Sequence, residues 1–209
     1  MAAATARGRI DKRQQILAVA FDVFARRGYA QTCVQEIADA AGVAKPTVYN
    51  HLTDKGTLYR EALLATADAV SSETLAAVHT LRDIGDDPRP VFVDSAYRLL
   101  QACSSERGQS LHRLAYAQAE EDFADLAAEV QQRNSTRLRE ALADRLARLT
   151  LAGRLRPSDP ELAAEQYLAL LTAPVETRSH LGARRIPAAE LRTIAEAATD
   201  TFLRAYAPS

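Results

Sequence analysis

The chain has 209 residues, 47% hydrophobic and 25% charged, with a formal net charge of −1. That is the balance of a soluble globular protein with room for one large domain or two smaller ones, and no apolar run approaches the roughly 20 residues that a membrane-spanning helix needs. Two well-separated cysteines, Cys33 and Cys103, exclude a disulfide framework and fit reduced thiols in a cytoplasmic protein, with Cys103 read as a small core hydrophobe.

The start, MAAATARGRI, lacks the apolar segment of a secretory signal and reads as a flexible arm over about residues 1–9. Ile10, Leu17, Ala20, Phe21 and Phe24 then recur at helical spacing, and Gly28 after Arg26-Arg27 is a helix stop. Thr32 opens a second helix. With Gln35 three residues on it has the form of a capping box, and Gly42 ends the helix. A third helix must begin near Ala44 or Lys45, because Pro46 is tolerated only in a first turn. It runs to about His51. Val43, Val48 and Leu52 face inward; Lys45, Thr47, Tyr49 and Asn50 face out. So little apolar surface cannot hold two helical turns for their own sake.

Asp54 caps a fourth helix of some 25 residues, and DIGDDPRP (Asp83 to Pro90) is a linker. Further apolar-periodic helices follow over about 90–104, 109–120 and 122–151. Pro160 opens the next, which Pro174 stops or kinks, and Pro187 opens the last. Glu120-Glu121-Asp122 reads as a solvated turn. The fold class is all-α, with about nine helices: an N-terminal three-helix helix-turn-helix domain over 1–60 and a C-terminal helical bundle over 61–209. Residues 1–60 carry +4 and the remainder −5, a basic end on an acidic body. In a helix-turn-helix the second helix enters the major groove of DNA, which explains an outer face left free of packing.

The run Ile16-Leu17, Phe24, Gly28-Tyr29, Thr32, Ile37-Ala38, Ala41-Gly42-Val43, Thr47-Val48-Tyr49, His51, Lys55 and Leu58-Tyr59 resembles the TetR/AcrR family of bacterial transcriptional regulators. The resemblance implies that Thr32, Lys45, Thr47, Tyr49, His51 and Lys55 touch double-stranded DNA, mostly its phosphates. Physical roles can be set beside it. Pro46 fixes where the reading face begins, Lys45 and Lys55 neutralise phosphates, Thr32 caps its helix and donates to a phosphate, Tyr49 offers a face to a thymine methyl, and Asn50 suits adenine. Three positions depart from the family pattern: Ala44 where Ser is common, Leu52 for Phe, and Gly56 for Glu, the last costing α-helix about 1 kcal/mol.

LHRLAYAQAEEDFADLAAEV followed by GRLRPSDPELAAEQYLALL resembles the C-terminal domain of an AefR-like branch. By that likeness the last two helices form a homodimer interface, and the helices between enclose a pocket for a small, largely apolar effector. Apolar residues almost all round 162–175 support the interface, since such a helix is covered on nearly all sides. Leu162, Ala164, Tyr167, Leu168 and Leu171, with Leu191, Ile194, Ala198 and Phe202, are its expected residues; burial of both faces within one subunit is the alternative. Phe92, Tyr97, Cys103, His112, Tyr116 and Phe123 read either as an effector pocket or as ordinary core. The four histidines have no metal-binding spacing, and no catalytic constellation or phosphate loop is present, so no metal, cofactor or catalytic residue is expected. The function that follows is a ligand-responsive repressor, homodimeric on a palindromic operator. The alternatives are a helical-bundle enzyme or a protein-binding module without operator binding.

Overall fold

A computed structural model of the chain describes residues 2–82, 84–85, 87–117, 123–179 and 184–208, with side chains from 12 onward apart from those at 51, 117 and 124. Glu120-Glu121-Asp122 and His180 lie outside the described residues. Among the described residues there are ten α-helices and no strand: α1 Ala2–Gln31, α2 Val34–Ala40, α3 Lys45–His51, α4 Lys55–His79, α5 Arg89–Cys103, α6 Glu106–Ala117, α7 Ala124–Gln131, α8 Arg137–Leu151, α9 Pro160–Arg178 and α10 Ala188–Tyr206. The all-α reading holds. Helix α1 begins at Ala2, inside the stretch expected to be an arm. The single helix expected over about 122–151 is two, separated by a π-helical turn at Gln132–Thr136, and α9 passes through Pro174 to Arg178.

Packing divides the chain into two compact units. One comprises Met1–Ala69 and Ser110–Gln131, the other Val70–Gln109 and Gln132–Ser209. The boundary expected at 60/61 follows the motif, whereas packing groups residues 110–131 with the N-terminal helices.

In the first unit α1 buries Ile16, Leu17, Ala20, Phe21, Val23 and Phe24. Its helical backbone breaks at Gly28, whose φ of 76° lies where a side chain would be strained. Helix α2 ends in a Schellman turn: the Val43 N–H donates to Ala38 O at 3.0 Å and the Gly42 N–H to Asp39 O at 3.1 Å. Gly42, at φ 64°, permits this turn, which aims α3 away from α2. Asp54 caps α4 as expected, with Oδ1 accepting the Thr57 N–H at 2.7 Å and Oδ2 the Thr57 hydroxyl at 2.9 Å. These bonds hold its carboxyl below the usual carboxylate range.

The second unit is built on α5, α8, α9 and α10. Helix α10 packs on α5 and α9, and α8 on α9. Phe92, Tyr167, Phe202 and Tyr206 form its aromatic spine, with Tyr167 and Phe202 ring centroids 4.5 Å apart. The hydroxyls of Tyr167 and Thr199 share a hydrogen bond of 2.9 Å inside this core.

This packing corrects the expected dimer surface. Ala164, Tyr167, Leu171, Leu191, Ile194, Ala198 and Phe202 are sealed within the chain's own core, so they are not available to a second copy. Leu168 is half-buried against the same core; Leu162, 48% exposed, is the one open position of the nine. Alanines are the reason. Ala169 and Ala173 complete the apolar circle of α9 in sequence, yet both are exposed, because so small a side chain needs no cover.

Candidate nucleic-acid interface

Two short helices, α2 and α3, present the face that the sequence singles out. Val48 and Leu52, 1% and 2% exposed, hold α3 from beneath. No side chain caps α3 at Ala44, so the Thr47 N–H donates to the Ala44 carbonyl at 2.8 Å, and Pro46 sits in the first turn. On the other side Pro46, Tyr49 and Asn50 are exposed, and Lys45 and Thr47 are half-buried. Tyr49, at 41%, is among the most exposed large hydrophobic residues of the chain. The Lys45 ammonium stands 5.9 Å from the Tyr49 ring centroid, one helical turn away. His51 ends α3, and its side chain lies outside the described set.

Thr32 departs from its expected role. Its hydroxyl donates to the Gly28 carbonyl at 2.7 Å, and the residue is only 4% exposed. The N-cap of α2 is Cys33, with no side-chain cap bond, and Gln35 bonds Asp39 rather than closing a capping box. The backbone break at Gly28 leaves a carbonyl that the Thr32 hydroxyl satisfies, and this local need wins over capping. Lys55 is half-buried and also has a partner within the chain: Nζ donates to Ala30 O at 3.3 Å and lies 4.5 Å from the Tyr29 ring centroid.

Ion pairs brace the platform. Arg13 meets Glu61 at 2.9 Å, joining α1 to α4, and Arg27 meets Glu36 at 3.1 Å, joining α1 to α2. Both pairs are substantially exposed, so each adds at most about 1 kcal/mol; their effect is to orient. Sequence reading missed these braces because pairs separated by 48 and 9 residues carry no periodic signal.

The six residues read as pocket or core fall in both packing units. In the second unit Phe92 is fully buried in the aromatic spine, and Tyr97 lies against the Arg192 guanidinium at 4.5 Å. Burial pushes the Cys103 thiol up to about 11, which favours its protonated form at neutral pH. In the first unit His112 and Tyr116 stack at 4.5 Å on an exposed face of α6, and Phe123 is buried among Tyr29 and Tyr59. Phe92 and Phe123 are therefore packed within their own units.

Comparison with known proteins bears on both units. Residues 16–62 match the family described as bacterial regulatory proteins, tetR family, and residues 91–208 match the AefR-like transcriptional repressor C-terminal domain. Among curated proteins, the chain is 40% identical over 75 residues to the HTH-type transcriptional activator FasR of Mycolicibacterium smegmatis, covering 36% of this chain and 34% of that protein. It is 38% identical over 56 residues to the HTH-type transcriptional repressor KstR2 of Rhodococcus jostii, covering 27% and 28%. These matches span about a third or less of each relative's length. Among solved structures, a TetR-family transcriptional regulator from Mesorhizobium loti shares 28% identity at a TM-score of 0.86, over 96% of this chain and 98% of that one.

Proposed function

This chain belongs to the TetR family of bacterial transcriptional regulators, with an AefR-like C-terminal domain, and we propose that it acts as a homodimeric repressor released from a palindromic operator by a small-molecule effector. The observation that carries the reading is the open face of α3. Pro46, Tyr49 and Asn50 are exposed beside the Lys45 ammonium, while Val48 and Leu52 anchor the opposite side. In the proposed complex Lys45 and Lys55 meet phosphates, with Thr47 and His51 beside them, and Tyr49 and Asn50 reach base edges. Lys55 would exchange its bond to Ala30 for a phosphate oxygen. Thr32 acts from within, by holding the turn.

A dimer suits such a site, because two reading helices about 34–36 Å apart meet successive grooves of a palindrome. Its contact surface is proposed on the sides of α9 and α10 left open by the core: Leu162, Ala169 and Ala173 on one helix, and Thr193, Ala197 and Thr201 on the other, all exposed. The effector is proposed to be largely apolar. Among the described residues the buried ones with polar side chains are Ser, Thr and Tyr, all hydroxyls, and none is charged. Relatives of the same fold supply the precedent for ligand response: the flavonoid-responsive regulator FrrA, at 22% identity and a TM-score of 0.70, and FadR of Bacillus subtilis, solved with stearoyl-CoA, at 15% and 0.65. Effector binding need only favour a spacing of the two heads that misses the half-sites, by its differential affinity for that state.

Enrichment of duplexes from a random-sequence library by the purified chain tests the reading. The expected product is an inverted repeat bound by two copies with steep salt dependence. A chain that enriches no sequence and shows no salt-dependent affinity for duplex DNA refutes it.

A further inference from the structure

Gly56 lies in the first turn of α4, beside residues from distant parts of the chain. A Cβ at this position would lie 3.2 Å from Asp54 Oδ1, 3.6 Å from Phe123 Cζ and 3.7 Å from the Tyr29 hydroxyl oxygen. The edge of the Phe123 ring thus stands in van der Waals range of this position, and its centroid is 5.1 Å from those of both Tyr29 and Tyr59. Phe123 is 6% exposed. It comes from the residue just before α7, some 60 residues beyond the helix-turn-helix segment.

Three further contacts tie this region to the same two turns of α4. The Tyr59 hydroxyl donates to the Leu114 carbonyl on α6 at 2.8 Å, with Tyr59 fully buried. Arg60 makes two bonds to the Asp125 carboxylate, at 2.5 and 2.6 Å, and one to Glu129 at 2.7 Å, so α7 is joined to α4 through three hydrogen bonds from one guanidinium. Lys55, the first residue of α4 and four residues beyond the end of α3, places its ammonium 4.5 Å from the same Tyr29 ring centroid. A chain of contacts therefore runs from Phe123, next to α7, through an edge-to-face pair with Tyr29 to Lys55.

We propose that Phe123 and Asp125 form a latch that positions the start of α4, and through it the reading helix α3, making them positioning residues for DNA binding. This inference rests on the DNA-binding reading of α3 and adds the route by which residues outside the helix-turn-helix control it. With Phe123 in place, the Tyr29 and Tyr59 rings are packed from α7; without it, Tyr29 loses a neighbour and Lys55 the support behind its cation–π partner.

The test uses the full chain and a duplex enriched by the wild type from a random-sequence library. Phe123→Ala is expected to weaken that duplex about tenfold while the helical circular dichroism persists. It is also expected to speed hydrogen exchange at the backbone amides of 45–60. Phe123→Tyr, which keeps the ring, is expected to restore affinity to within about twofold of wild type. Asp125→Asn, a surface change that does not threaten the core, is expected to weaken binding about threefold. If Phe123→Ala loses its helical signal, Asp125→Asn and Arg60→Ala decide the question. Wild-type binding with variants that bind equally well and exchange at the same rate overturns the latch alone. A wild type that enriches no duplex overturns the regulator reading and the latch with it.

Discussion

The Lys45 ammonium lies 5.9 Å from the centroid of the Tyr49 ring, and the pair stands on α3 away from its buried anchors Val48 and Leu52. At that distance the cation–π attraction is weak, about 0.5–1 kcal/mol at an exposed site. The arrangement is therefore open to rearrangement when a duplex arrives. Tyr49→Ala removes the largest side chain of the open face without touching the buried anchors Val48 and Leu52. Operator affinity is expected to fall at least about tenfold, corresponding to about 1.4 kcal/mol, with thermal stability and subunit mass unchanged. Fluorescence anisotropy with a labelled duplex measures the first, and a variant that binds like wild type removes Tyr49 from the interface.

Lys45 and Lys55 are separated by a salt titration. A phosphate contact contributes close to one unit to the slope of log affinity against log salt. Lys45, half-buried beside the open face, is expected to lower the slope by about one when replaced by Ala. Lys55 already donates to Ala30 O, so Lys55→Ala is expected to weaken binding by also loosening the turn after Gly28. Its signature is a loss of affinity that persists at high salt. Parallel slopes for wild type and Lys45→Ala count against the phosphate contact.

These residues were legible in the sequence because a helix-turn-helix announces itself locally. Gly42, Pro46 and the Val48–Leu52 pair act over a few residues, and each did in the structure what its chemistry requires. Asp54 capped its helix for the same reason. Thr32 was misread because two local satisfactions competed for one hydroxyl, and spacing alone does not rank them. The expected dimer surface went astray for a different reason. Periodicity records which directions are apolar, not which neighbour covers them, and α9 is covered mostly by its own chain. The seat of Phe123 against Gly56 depends on residues 67 positions apart, which no pattern along the chain can encode.

The position of a dimer contact can be tested on one helix. Leu168 is half-buried against the core of its own unit, so a charge there destabilises the monomer and answers nothing about a partner. Ala169 is exposed, one residue on. Ala169→Glu is expected to leave the unfolding temperature of the isolated subunit near wild type and to halve the mass seen by light scattering. A dimer mass that survives both Ala169→Glu and Ala197→Glu moves the contact off these two faces.

The core of the second unit offers a stability test that does not depend on DNA. Phe202 is 1% exposed and packs on Phe92, Tyr167 and Tyr206. Phe202→Ala is expected to cost about 3–5 kcal/mol in denaturant unfolding. Tyr167→Phe removes a buried hydroxyl and leaves Thr199 without its 2.9 Å partner, a smaller loss of about 1–2 kcal/mol. Equal costs for the two variants would place the hydrogen bond, rather than the ring packing, at the centre of this core.

Acid stability follows from the carboxylates whose titration the fold displaces downward. Asp54 is lowered chiefly by the Thr57 backbone N–H, Asp125 by the Arg60 hydrogen bonds, and Asp200 by those of Arg89. A carboxylate with a folded pKa below its unfolded one contributes stability that is fully present above the unfolded value, about 3.9, and is lost as pH falls through the folded value. From neutral pH down to about 5 these three groups should leave the unfolding temperature nearly flat. Below about 4 it should fall as the folded state takes up protons later than the unfolded chain does. Asn at position 54 can still accept the Thr57 N–H but cannot titrate, so Asp54→Asn is expected to flatten the acid limb while changing the neutral-pH plateau little. Asp54→Ala removes the acceptor itself and is expected to lower the plateau as well. An acid limb of unchanged steepness in Asp54→Asn would mean that the cap does not carry the acid sensitivity, leaving Asp125 and Asp200, held by Arg60 and Arg89, as its source.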